Sequence, residues 1–224
     1  VTREQLIADP ENIWLGRAAR LRLPAETLRD QALAVSGLLN GKIGGPSVKP
    51  YQPEGLWKEI ASQAYDQGSG KDLYRRGMYT FWKRTVPPPT MLTFDASSRE
   101  ICVLSRSRTN TPLQALALLN EISYVEAARN LGQQMILQNI STEDRLRWGW
   151  RQVTSRMPSD YEMSVLLKSL QRNIQRYSAD QKAAKQLISF GESQADESLK
   201  THELAAYTVI ASMLLNLDEV INRE

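Results

Sequence analysis

From Leu199 to Val220 the chain is apolar on almost every side of the helix it would form. No other stretch constrains the fold as strongly. A helix with no polar face must lie inside a layer of other helices. Thr208, Ser212 and Asn216 interrupt its longest apolar run, Leu204 to Leu217, so the expectation is a buried helix and not a membrane span.

Helix starts supply the surrounding elements. A Ser or Thr followed three positions later by Glu or Gln satisfies two otherwise orphaned backbone donors. Thr111-Pro112-Leu113-Gln114 is such a box, with Pro112 at the first helical position, where its missing N–H costs nothing. Ser159-Asp160-Tyr161-Glu162 and Ser178-Ala179-Asp180-Gln181 are two more, and Ser141 to Asp144 is an acidic variant. Apolar spacing predicts a helix after Pro24 through Leu28, Ala32, Val35 and Leu39, closed by Asn40-Gly41. It also predicts one long stripe from Leu113 through Tyr124 to Met135, and further helices around Trp150 and Leu166. The only strand candidate is Ile101-Cys102-Val103-Leu104, a short extended segment. The expected fold class is all-α, a helical bundle with long irregular connections. One domain over 1–224 is expected, with a subdivision, if any, near Asn139 into 1–138 and 140–224.

Charge and metal chemistry narrow the function. A formal net charge of +3 over 224 residues, with Lys and Arg interleaved among Asp and Glu, argues against a nucleic-acid binder. One histidine, His202, and one cysteine, Cys102, do not make a zinc site. Metal ligands and cofactors are therefore expected to be absent from this chain. His202 reads as a surface or capping residue, and Cys102 as a small buried apolar one.

The segment from Tyr74 to Thr111 stands apart. It reads YRRGMYTFWKRTVPPPTMLTFDASSREICVLSRSRTNT and concentrates cations beside aromatic rings. Arg75, Arg76, Trp82, Lys83, Arg84, Arg99, Arg106, Arg108 and Asn110 are the candidate ligand-binding residues. Guanidinium forks match carboxylate, sulfate and phosphate oxygens, and aromatic faces stack on sugars. The competing reading is that these arginines pin an irregular segment by bonding its carbonyls and carboxylates such as Asp95 and Glu100. Asp95 and Glu100 also form the only acid/base pair considered, for an enzyme acting on carbohydrate or sulfated polymer.

Long stretches of the chain resemble a known family. RTVPPPTMLTFD, SRTNTPLQALALLN and DPENIWLGRAARLRLPAETLRDQALAVSGLLNGKIGGPSV look like the planctomycete-type PSD domain of unknown function, as do EDRLRWGWRQVTSRMPSDYE and LLNLDEVINRE. The resemblance implies a C-terminal module of large exported bacterial proteins, many with cytochrome c-like domains elsewhere. It implies an extracytoplasmic setting, with haem in other domains of the parent protein, and no catalytic residues. A non-catalytic binding or docking module follows as the expected function. Its partner would be a sibling domain, another exported protein, or a glycan or other anionic ligand. A docking surface for a haem-bearing domain is a further alternative. The resemblance also implies that part of the module precedes Val1, which would leave apolar surface exposed near Val1 to Arg22.

Overall fold

A computed structural model describes residues 2–16, 21–61, 64–138 and 140–223. Among these the chain is all-α. The only sheet is two residues long on each side, pairing β1 (Leu21–Arg22) antiparallel with β2 (Asn222–Arg223). Residue 139 lies outside the described residues. The apolar core is continuous between Ala25 and Ile221 and draws residues from both sides of that position.

The apolar helix does lie at the centre. α10 (Thr201–Leu215) packs most extensively on α6 (Ile122–Leu137), and also on α8 (Asp160–Ala179) and α9 (Gln181–Ile188). Small residues let α6 and α10 approach closely. Ala127, Ala128, Ala205, Ala206 and Ala211 are wholly buried. A side chain on Gly132 would meet the backbone of Tyr207 and Thr208 at 2.9 Å. α7 (Thr142–Thr154) closes another side, contributing Leu146 and Trp150 to the core.

Helix starts follow the local capping chemistry. The Thr111 and Ser159 boxes both form, opening α5 (Pro112–Asn120) and α8, and Ser141 caps α7. Helix ends depart from expectation in four places, one being the last helix, which stops at Leu215 ahead of a separate α11 (Asp218–Ile221) instead of running on to Val220. The helix after Pro24, α2 (Ala25–Val35), stops before Asn40-Gly41, because Gly37 adopts a left-handed φ of +71°. Leu38 N–H then reaches Leu33 O and Gly37 N–H reaches Ala34 O, the bond pair of a glycine-terminated helix. The long stripe breaks at Glu121, whose ψ of 137° separates α5 from α6 and leaves Leu113 and Leu116 exposed. The Ser178 box does not form. α8 runs on through Ser178, and the Asp180 carboxylate instead accepts from Ala183 N–H at 2.9 Å to start α9.

The outer segments also correct expectations. No strand forms at 101–104, and Cys102 is exposed rather than buried. Ile101, Val103 and Leu104 are exposed with it, so nothing in this irregular stretch gives the thiol an apolar home. The expected apolar surface near the N-terminus is present. α1 (Arg3–Ala8) has no buried residue, and Leu6, Ile7, Ile13, Trp14 and Leu15 are all exposed.

Candidate functional site

The first turns of α2, with Arg22 just before them, form a polar rail on which the arginine-bearing segment lies. Glu26 and Asp30 stand at the four-residue spacing of one face of α2, and Arg22 precedes them in β1. Glu26 receives both arms of Arg106, at 2.8 and 3.1 Å. Burial acts most strongly on Glu26 and would raise its pKa, but the Arg106 hydrogen bond, a backbone hydrogen bond and the Arg106 and Arg99 charges together hold the carboxyl below its ordinary value. Asp30 receives Arg76 Nε at 3.2 Å and also the Gly77 N–H. Arg22 donates to Asn110 Oδ1 at 3.3 Å. Gly77 is needed here, because a side chain at that position would lie 2.9 Å from Glu26 Cα.

Arg29, one turn along α2, is 7% exposed and donates to the main-chain oxygens of Leu73 and Arg75. Arg75 in turn closes the Gly-rich connection after α2. It donates to Lys42 O, Gly44 O and Pro46 O at 3.1, 2.6 and 3.0 Å and lies 3.9 Å from the Tyr79 ring centre. Two buried guanidinium groups thus supply donors for carbonyls that no helix or strand satisfies.

The other candidate residues do not converge on one point. Arg99, at a left-handed φ of +64°, sits 4.9 Å above Trp82. Lys83 lies 4.7 Å from the Trp57 ring. Arg84 and Arg108 are exposed and have no side-chain partner among the described residues. Asp95 accepts from Thr109 N–H at 2.7 Å and from the Thr109 hydroxyl, while Glu100 is exposed. The carboxylates that hold arginines are Glu26 and Asp30 on α2, and not Asp95 and Glu100.

A cavity of about 420 Å3 opens against the same stretch of α2. Its walls are Ala25 and Arg29, the Pro50–Glu54 segment ahead of α3 (Leu56–Ala61), Thr80, Pro88 to Met91 with Phe94 around α4 (Pro89–Thr93), and Asn120 to Tyr124 at the α5–α6 break. Prolines, Met91, Phe94 and Ile122 make most of it apolar. Three charged residues line it, Arg29 and Glu121 and the solvent-exposed Glu54. Burial raises the Glu121 pKa above the usual carboxylate range, and the nearby Arg29 cation opposes that rise. Tyr124 is likewise pushed up by burial. The sequence reading missed Arg29, Glu121 and the cavity itself, whose walls come from five separated stretches.

Behind one wall of the cavity lies a buried polar cluster. Tyr51 lines the cavity, and its hydroxyl accepts from Glu192 N–H at 2.8 Å. Glu126 Oε1 accepts from Tyr74 OH at 2.8 Å and from the Ser193 N–H and hydroxyl at 2.7 and 2.6 Å. Arg129 lies 3.9 Å from Glu126 and donates to Ser193 O at 2.6 Å. Gly191, at φ +87°, makes room, since a side chain there would overlap the Glu126 carboxylate.

Among the described residues no group of three or more His, Cys, Asp or Glu is placed to hold a metal ion. Among the described residues no helix is long and apolar enough to cross a membrane. These features define a helical module with an apolar cavity beside an arginine-pinned segment. The chain belongs to the PSD1 family, described as a protein of unknown function (DUF1553), whose model matches residues 1–170. The match takes in the α2 rail, the arginine-bearing segment and every wall of the cavity, and ends within α8. No curated protein and no solved structure matches the chain.

Proposed function

We propose that the chain is a non-catalytic binding module of a larger exported bacterial protein, and that the cavity beside α2 is its ligand seat. The observation that carries this reading is an apolar cavity of about 420 Å3 with a few polar groups converging on it. Cavities of that size and character are the usual form of a small-molecule or side-chain site. Two carboxylates poised for acid/base chemistry would have favoured an enzyme. Asp95 is instead occupied by Thr109, and Glu100 points to solvent. The exported setting, and haem in other domains of the parent protein, rest on the family resemblance. Sibling domains or another exported protein are the proposed partners.

The arginines have a supporting role in this reading. They hold the irregular segment in place so that Pro88 to Phe94 can form a wall. A screen of apolar fragments and of neutral and sulfated oligosaccharides, read by ligand-observed NMR, tests the assignment. Binding that disappears in Ile122→Trp, which fills the cavity, supports it. Binding that survives Ile122→Trp but is lost in Arg106→Ala/Arg108→Ala moves the seat to the outer surface and overturns it.

A further inference from the structure

The polar atoms left over in the cavity say what kind of molecule fits. Asn120 spends one of its two side-chain N–H groups on Leu116 O at 2.8 Å, and its Oδ1 remains an acceptor. Glu121 takes the Ser123 hydroxyl on Oε1 at 3.0 Å and keeps acceptor capacity on its second oxygen. Arg29 has already committed two N–H groups to the carbonyls of Leu73 and Arg75. Unused acceptors therefore gather where α5 meets α6, and a group seated there must bring a donor, while the remaining N–H groups of Arg29 and the Gln52 amide stay open to an acceptor elsewhere on the same molecule.

Charge excludes the ionic versions of such a ligand. Arg29 and Glu121 both line the cavity and act on each other electrostatically. An anion drawn to Arg29 meets the Glu121 and Glu54 carboxyls, and a cation drawn to Glu121 meets a buried guanidinium, which the exposed and solvent-screened Glu54 offsets only weakly. Either ion would also give up its hydration among prolines, Met91, Phe94 and Ile122. An uncharged group gains the hydrogen bond without that desolvation.

We propose that the cavity binds an uncharged molecule with an apolar body and a hydroxyl or amide N–H at one end, the donor resting on Glu121 and Asn120. This rests on the reading of the cavity as the ligand seat, and one titration series separates the two claims. Benzyl alcohol, benzylammonium and benzoate share a ring and differ in the charge at its end. Each is titrated into the full chain by two-dimensional NMR, following the amides of Phe94, Ile122 and Tyr124.

Benzyl alcohol is expected to bind, with both ions weaker by about tenfold or more. Glu121→Gln keeps an acceptor oxygen and removes the negative charge. It should leave benzyl alcohol within about threefold, while benzoate gains about tenfold because Arg29 is no longer balanced. Ile122→Trp should abolish binding of all three. Ions that bind wild type as well as the alcohol does would overturn the ligand class and leave the seat standing. If none of the three moves those amides at concentrations of tens of millimolar, the seat falls as well. Should Glu121→Gln prove unstable by its thermal midpoint, the wild-type series and Ile122→Trp still decide both claims.

Discussion

The two halves of the fold are held together by different physics. Around α10 the helices meet through alanine, glycine and leucine, and stability comes from burying apolar area. Between Asn40 and Thr111 there is little regular structure, and arginines bound to carbonyls and to the α2 carboxylates take the place of helix hydrogen bonds. The first region should fail as a unit when its packing is disturbed. The second should fail piece by piece as its pins are removed.

The strongest way to break that contrast is Gly132→Val. Its added atoms would fall on the α10 backbone, and a global loss of about 3 kcal/mol or more is expected in chemical denaturation. A small, local loss would mean that α6 and α10 are not the centre of the fold. Arg75→Ala should cost about 2–3 kcal/mol by leaving the carbonyls of Lys42, Gly44 and Pro46 without their donor. Hydrogen exchange should then quicken around residues 40–48 and stay unchanged in α6 and α10. Equal quickening everywhere would erase the distinction.

Smaller effects sharpen the comparison. Arg106→Ala removes a half-exposed pair with Glu26 and should cost about 1 kcal/mol, less at high salt. Arg108→Ala, with nothing to lose in the fold, should stay within about 0.5 kcal/mol of wild type. The helical side has one acid-sensitive clamp. Arg156 binds both Glu162 and Glu219, joining the end of α7 to α8 and to α11 (Asp218–Ile221). The Arg156 hydrogen bonds bring the Glu162 pKa down to about 2. A depressed carboxylate pKa contributes stability that is complete above the unfolded value of about 4.3 and fades as pH falls toward 2. In this surface setting the loss should not exceed about 1 kcal/mol, and Arg156→Ala should remove that slope from a stability-versus-pH curve.

What could be read from the sequence divides along the same line. The capping boxes at Thr111 and Ser159 use residues three apart, so they were legible without a structure. So was the position of α10, because an all-round apolar helix has one place to go. The break at Glu121 was not, since the residues on both sides favour helix and only the packing decides between one helix and two. Cys102 was misread because small apolar character does not say whether a segment has anything to pack against. The nine candidate residues lie in one stretch of chain, but their partners do not. Glu26 lies 80 positions from Arg106 and Asp30 lies 46 from Arg76. The cavity needs five distant stretches at once, and no local pattern announces it.

The single oxygen of Glu126 shared by Tyr74 and Ser193 bears on the order in which the molecule assembles. Its partners lie 52 and 67 positions away on opposite sides, so the closure entropy for this junction is spent only after the helices nearby have formed. Such a late-forming knot leaves the folding rate almost untouched and governs the rate of opening. Loosening it would therefore shorten the lifetime of the native state, detaching the Gly191 turn from Tyr74 while the chain still reaches its folded form at the usual speed.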